Sequence, residues 1–280
     1  ALASAIASCR GDQWEAALAL RASARRLKVK MDAQLCSSVI YSCATAGRAK
    51  HAKAVLSNMK ARKLEPTVEC YNNCLLAISQ SSSSSTAAKR WLTKMEQDGV
   101  DPNTVTMNIL ASAGSWEEAL AFTEGLRGTE ILPSQITYGA LIGACKASRS
   151  WPAALAFLED MLAEPSLTPS VTAFNIAISV CESCDQCALA LQLLRRMPAL
   201  GLQPDLVSYN TVLAACQNVG EWHLALQLFQ EIEASPHLTA DVFTYSSVIS
   251  ACDAGEQWEW AVNLFRRMEA QGIAASDVIF

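Results

Sequence analysis

The sequence predicts an all-α solenoid, a right-handed α-α superhelix of about eight stacked helical hairpins of 35 or 36 residues each. The first observation is the stretch from Pro204 to Ile232, PDLVSYNTVLAACQNVGEWHLALQLFQEI. Tyr209, Val212, Leu213 and Cys216 stand at i, i+3, i+4 and i+7, the stripe of a helix buried along one face. Gly220 can end that helix in a left-handed turn, and Trp222, Ala225, Leu226, Phe229 and Ile232 then restart the stripe. The second observation is repetition. Thirty-six residues on, Ala240 to Met268 repeats the pattern, with Tyr245 for Tyr209, Cys252 for Cys216, Trp258 for Trp222 and Phe265 for Phe229. Self-similarity at this period is the mark of stacked hairpins. The third is punctuation. Pro66, Pro102, Pro133, Pro169 and Pro204 each stand just before a repeat boundary, where proline disfavours helix at the preceding residue.

Taken in order, the repeats are 1–32, 33–67, 68–103, 104–134, 135–170, 171–205, 206–241 and 242–276, and 277–280 opens another. Repeat 1 lacks its first residues but keeps Cys9 and Trp14. Repeat 2 is degenerate, with Cys36-Ser37 where later repeats have Tyr-Asn. Repeat 3 turns between its helices at the serine tract Ser81 to Ser85, expected to be an exposed loop. Repeat 4 is short. Asn108 to Ala119 spans 11 steps where Asn210 to Ala225 spans 15, so about one helical turn is missing. Its first helix should be stunted and Asn108 displaced from its counterparts. About sixteen helices are expected, with first helices on the concave side and second-helix stripes, including Trp116 and Trp151, buried between repeats. The chain is expected to be a fragment of a longer protein.

Composition narrows the class. Half of the residues are hydrophobic, which suits a folded chain. No apolar run reaches the roughly 18 residues of a membrane helix. Residues 1–103 hold 15 Lys and Arg against 8 Asp and Glu, whereas 104–280 hold 7 against 19. An acidic partner would be drawn to the first part and repelled by the second. Six of the 11 cysteines (Cys9, Cys43, Cys145, Cys181, Cys216, Cys252) recur near the end of a first helix, where a small apolar residue lets helices approach. They imply a reducing compartment. Cys181-x-x-Cys184-x-x-Cys187 has thiolate-ligand spacing, but Cys181 is in repeat register and no second cysteine or histidine pair completes a site. No metal and no cofactor are expected. His51, His223 and His237 are isolated, and no nucleophile triad, paired carboxylate or phosphate loop recurs, so no enzyme is expected.

The boundaries carry a family resemblance. Pro204-Asp205-Leu206-Val207-Ser208-Tyr209-Asn210 is echoed by Pro169-Ser170-Val171-Thr172-Ala173-Phe174-Asn175, by Pro102-Asn103-Thr104-Val105-Thr106-Met107-Asn108 and by Ala240-Asp241-Val242-Phe243-Thr244-Tyr245-Ser246. Tetratricopeptide repeats share the hairpin but keep 34 residues and other marks. Over essentially all of its length this chain resembles the pentatricopeptide-repeat family. That resemblance implies a mitochondrial or chloroplast protein, a monomer, that binds single-stranded RNA in processing, stability, editing or translation, one base per repeat. Base readers in such repeats are the polar residue after the Tyr or Phe and the last residue of the repeat. An aliphatic residue two places before the Tyr packs on the base.

Carried over, Asn175 with Asp205 and Asn210 with Asp241 match the uracil combination. Asn72 with Asn103 and Asn108 with Ser134 resemble pyrimidine readers favouring cytosine, expected toward the 5′ side. Ser246 with Ser276 leans to a purine. Ala3 with Asp32, Ser37 with Thr67 and Gly139 with Ser170 give no reading. The packing residues are Val105, Ile136, Thr172, Val207 and Phe243, then Val278, with Gln34 and Glu69 unfavourable earlier. The family often places lysine after the helix-ending cysteine, against phosphate; here that place holds Arg10, Ala44, Lys146, Glu182, Gln217 and Asp253. Since phosphate contact is a major source of affinity, weak binding by these repeats alone is expected. The alternative is a helical-repeat scaffold for protein partners in the concave groove.

Overall fold

In a computed structural model, residues 13–26, 33–81, 85–113 and 133–273 are described. Among them lie fourteen α-helices and no strand. They are α1 (Trp14–Arg26), α2 (Ala33–Thr45), α3 (Ala49–Ala61), α4 (Val68–Ser81), α5 (Ser85–Gln97), α6 (Thr104–Ala113) and α7 (Gln135–Ala147). There follow α8 (Trp151–Ala163), α9 (Val171–Ser183), α10 (Cys187–Ala199), α11 (Leu206–Val219), α12 (Trp222–Ala234), α13 (Val242–Ala254) and α14 (Trp258–Ala270). The two remaining helices of the expected sixteen would fall in 1–12 and 114–132, outside the described residues. So do Cys9, Trp116, Ala119 and the turn deletion of repeat 4.

The chain divides into two compact bodies, Ala1–Ala140 and Leu141–Phe280. In the first, α2 packs on α4 and α4 on α6, while each preceding second helix (α1, α3, α5) packs on the following first helix. The second follows the same rule: α9 on α11 and α11 on α13, with α8, α10 and α12 on α9, α11 and α13. A first helix therefore has neighbours on both sides, and its buried arc is wider than a stripe. In α11 it takes in Ser208, Val212, Leu213, Ala215 and Cys216. In α12 the buried set is Ala225, Leu228, Phe229 and Ile232, so Leu228 replaces the expected Leu226.

Local chemistry sets the helix ends. Asp205 and Asp241 are extended N-caps, each in a reciprocal box with the residue three places on, Ser208 or Thr244. Gly220 closes α11 at φ +70°, as expected of glycine past a helix end. Its counterpart Gly255 does not; there Glu256 takes the positive φ of 58°. Gly255 is required for another reason, because Trp222 of the preceding repeat lies against its α-carbon. The loop expected over Ser81 to Ser85 falls mostly on 82–84, outside the described residues. Helix α4 runs through Ser81 and α5 begins at Ser85, leaving only 82–84 between them.

The register cysteines Cys43, Cys145, Cys181, Cys216 and Cys252 are all fully buried. Burial pushes Cys43 and Cys181 up to about 11 each, so these thiols stay protonated and behave as small apolar side chains. Ion pairs join successive second helices. Arg196 on α10 pairs with Glu159 on α8, Arg195 with Glu231 on α12, and Arg267 on α14 with Glu233 on α12. Such exposed pairs add about 0–1 kcal/mol each.

Candidate functional site

The residues expected to read bases fall at the seam between successive first helices. In the second body, Asp205 caps α11 by accepting the backbone N–H of Ser208 at 2.8 Å, and Ser208 Oγ accepts the N–H of Asp205 at 3.2 Å. Asn175, on α9 of the repeat before, reaches this cap from the side. Its Nδ2 donates to Asp205 Oδ1 at 3.1 Å, and Ser208 Oγ donates to its Oδ1 at 2.6 Å. One repeat later the arrangement recurs. Asn210 Nδ2 donates to Asp241 Oδ1 at 3.2 Å, and Thr244 Oγ1 donates to Asn210 Oδ1 at 2.8 Å.

The first body holds two more. Asn72 Nδ2 donates to Asn103 Oδ1 at 3.1 Å, and Thr106 Oγ1 donates to Asn72 Oδ1 at 2.7 Å. Asn108 is tied through Thr137 Oγ1 at 2.6 Å, which also contacts Ser134 Oγ at 3.1 Å. Asn108 thus keeps the hydroxyl partner of its counterparts. The expected displacement turns on residues 114–132, which lie outside the described residues.

Thr106, Thr137, Ser208 and Thr244 were not singled out as site residues in the sequence, yet each is completely buried and joins a pair. Their signal is legible in retrospect: a hydroxyl three residues after the boundary residue, directly before the Tyr or Met. Where that hydroxyl is lacking, the triad is lacking. Cys70 takes its place after Thr67, and Thr67 Oγ1 turns to Cys70 Sγ at 3.5 Å. Ser37 is buried. Ala173 takes its place after Ser170, which caps Ala173 N at 3.2 Å opposite the side-chain-less Gly139. Ser246 is half-buried on α13, while its partner Ser276 and Val278 lie outside the described residues.

Beside each triad an apolar side chain faces solvent. Val105, Ile136, Val207 and Phe243 are 51%, 71%, 59% and 71% exposed, against nearly complete burial of the hydroxyl that follows each one. Thr172, Gln34 and Glu69 occupy the same place and are also exposed. Asp205 is exposed at the seam as well. Partial burial raises its carboxyl, but the N–H and O–H of Ser208 and the Asn175 amide outweigh that and hold it below the usual carboxylate range. Among the described residues, the hydrogen bonds to the Asp205 and Asp241 carboxylates fall on Oδ1, leaving Oδ2 of each as a further acceptor.

The phosphate-contact position is poorly provided. Lys146 donates to Ser179 Oγ at 2.5 Å and lies 3.7 Å from Glu182 Oε2, itself at that position one repeat on. Five of the six Lys and Arg between 141 and 280 are in ion pairs with neighbouring repeats. In the cysteine run, Cys187 Sγ lies 3.3 Å from Cys216 Sγ, and no group of three His, Cys, Asp or Glu placed to hold a metal ion occurs among the described residues.

A family model described as a pentatricopeptide repeat domain matches residues 20–81 and 192–255. A second, described as a PPR repeat, matches 136–164 and 243–273, and the two together cover more than half of the chain. The chain belongs to the pentatricopeptide-repeat family. Its fold is that of solved pentatricopeptide-repeat structures. The maize protein PPR10 aligns over 96% of this chain and 43% of its own, at TM-score 0.64 and 23% identity. The structure of PPR10 in complex with an 18-nucleotide psaJ RNA element aligns over 95% and 44%, at 0.52 and 16%. The PPR domain of Arabidopsis thaliana protein-only RNase P 1, in complex with tRNA, aligns over 71% and 95%, at 0.50 and 15%. The chain therefore spans less than half the length of the maize protein. Comparison with curated proteins gives no significant match.

Proposed function

We propose that this pentatricopeptide-repeat chain binds single-stranded RNA, one base per repeat, in the RNA metabolism of a mitochondrion or chloroplast. It acts as a monomer that supplies recognition and not catalysis. No helix among the described residues is long and apolar enough to cross a membrane. The observation that carries the reading is the repeated seam: an amide, a boundary acceptor or donor, and an exposed apolar neighbour. Splayed bases offer pairing edges to such groups, and their faces to apolar side chains. A repeat ending in Asp offers a further carboxylate oxygen, which suits the N3–H of uracil. With Oδ1 of Asn103 taken by Thr106 and Asn72, the first body offers an amide N–H, which suits the N3 acceptor of cytosine. Asn175 with Asp205 and Asn210 with Asp241 accordingly favour uracil, and Asn72 with Asn103 and Asn108 with Ser134 favour cytosine.

Related structures solved with RNA and with tRNA support the class of ligand. The test is a titration of the 280-residue chain with single-stranded RNA across a range of salt. RNA binding should weaken steeply as salt rises. Affinity independent of salt, or confined to apolar peptides, would instead favour the protein scaffold.

A further inference from the structure

Resting on that RNA reading, we infer that the buried hydroxyl at the third helical residue, in Thr106, Thr137, Ser208 and Thr244, is a positioning residue for base choice. It sets which end of the neighbouring asparagine amide is donor and which is acceptor.

The oxygen and nitrogen ends of an asparagine amide are nearly equal in size, so packing does not choose between them. Hydrogen bonds must. A hydroxyl is ambivalent, since it both donates and accepts. Here the helix cap removes much of that ambivalence. Ser208 Oγ accepts the N–H of Asp205 at 3.2 Å, Thr244 Oγ1 that of Asp241 at 3.2 Å, Thr106 Oγ1 that of Asn103 at 3.0 Å, and Thr137 Oγ1 that of Ser134 at 3.0 Å. With an accepting site filled by the backbone, the proton turns to the other side. There it meets the Oδ1 of Asn175, Asn210, Asn72 or Asn108 at 2.6 to 2.8 Å. Ser208 Oγ lies 2.6 Å from the amide oxygen and 2.8 Å from Asp205 Oδ1, and Thr244 Oγ1 lies 2.8 Å from both Asn210 Oδ1 and Asp241 Oδ1, so in these two seams the carboxylate shares the proton with the amide. Flipping Asn175 would set its carbonyl against the Asp205 carboxylate, acceptor against acceptor, and its NH2 against an oxygen already serving the cap. The amide is locked at both ends.

The consequence is chemical. A locked asparagine shows the base a donor and an acceptor in fixed places; a released one can show either and discriminates less. The hydroxyl itself is fully buried and meets no base. The same chain shows first helices stacking without it, since Cys70 holds the equivalent place at another boundary, where α4 still packs on α2.

The experiment compares Ser208→Ala/Thr244→Val, which removes both hydroxyls, with Ser208→Thr/Thr244→Ser, which exchanges them. Each 280-residue variant and the wild type is titrated at low salt with single-stranded RNAs carrying UU or CC at the matched step, and thermal unfolding is followed in parallel. A wild-type preference for UU of about tenfold, within the range of paired base contacts, should fall to within about twofold of unity in the first variant. It should survive in the second. Binding of the mismatched RNA should change little. A merely structural hydroxyl would lower the unfolding temperature and weaken both RNAs alike, and that result overturns the inference while leaving RNA binding in place. So does an undiminished preference in the first variant. A wild type that binds UU and CC equally overturns this inference and the base-reading proposal together.

Discussion

Trp222, at the start of one second helix, lies against Gly255, at the turn of the following repeat. A β-carbon built on Gly255 would fall 2.2 Å from Trp222 Cδ1. The indole that marks the repeat in the sequence is thus a spacer between hairpins, and the glycine is its seat. Gly255→Ala should destabilise the chain by about 1–3 kcal/mol, the usual effect of overpacking. The loss should shrink when Trp222 is also changed to Leu. Denaturant unfolding of the two single variants and the double checks this; additive effects would show that the two side chains do not meet.

Acid should loosen the stack before it unfolds the helices. Hydrogen bonds from Lys60 and Tyr71 hold Asp98 below its ordinary value, and Arg196 and Arg195 do the same for Glu159 and Glu231. Asp205 is also held low, its cap bonds outweighing burial. A depressed folded value contributes stability above the unfolded value and loses it as pH falls through the folded one. The unfolding temperature should therefore be flat from about pH 8 to about pH 5 and fall below about pH 4, where Asp and Glu ordinarily protonate. A decline already complete at pH 6 would contradict these assignments.

The thiols should separate by reactivity. Burial raises Cys43 and Cys181 to about 11 and, with its neighbour Cys70, Cys74 to about 12, while Cys184 is half-exposed at the end of α9. Thiolate is the reacting form. Alkylation followed by peptide mapping should label Cys184 well before Cys43, Cys74 and Cys181, and denaturant should abolish the difference.

Changing the boundary residue should change the base. Asp205→Asn replaces that further acceptor by an amide donor, while the residue still caps α11 as Asn103 caps α6. The preference at that step should move from uracil toward cytosine by about 1–3 kcal/mol, with little change in stability. Unaltered preference on short RNAs would place base choice elsewhere.

Much of the fold was legible because the repeat makes each element appear several times. Tyr209 and Tyr245, Cys216 and Cys252, and Trp222 and Trp258 fix the period, and periodic apolar stripes follow from burial on a helix face. The proposed readers come only from family resemblance, since nothing in periodicity distinguishes Asn175 from any polar residue on α9. The hydroxyls escaped because Ser208 and Thr244 look like ordinary first-turn residues; their role depends on a side chain about 33 positions away. The contacts of Lys146 are hidden from the sequence on the same ground. Its partners, Ser179 and Glu182, come from the next repeat, and a stripe read one helix at a time does not show them.

The central claim is that the asparagine and boundary residue of each seam read a base. Its most direct test is titration of the 280-residue chain, at about 50 mM salt so that phosphate attraction is not screened away, with two short single-stranded RNAs differing only in UU or GG at the step matched to Asn175/Asp205 and Asn210/Asp241. The account predicts tighter binding of the UU strand, and loss of that difference in Asn210→Ala/Asp241→Ala. Equal affinity for the two strands in the wild type, or binding of neither, would contradict it.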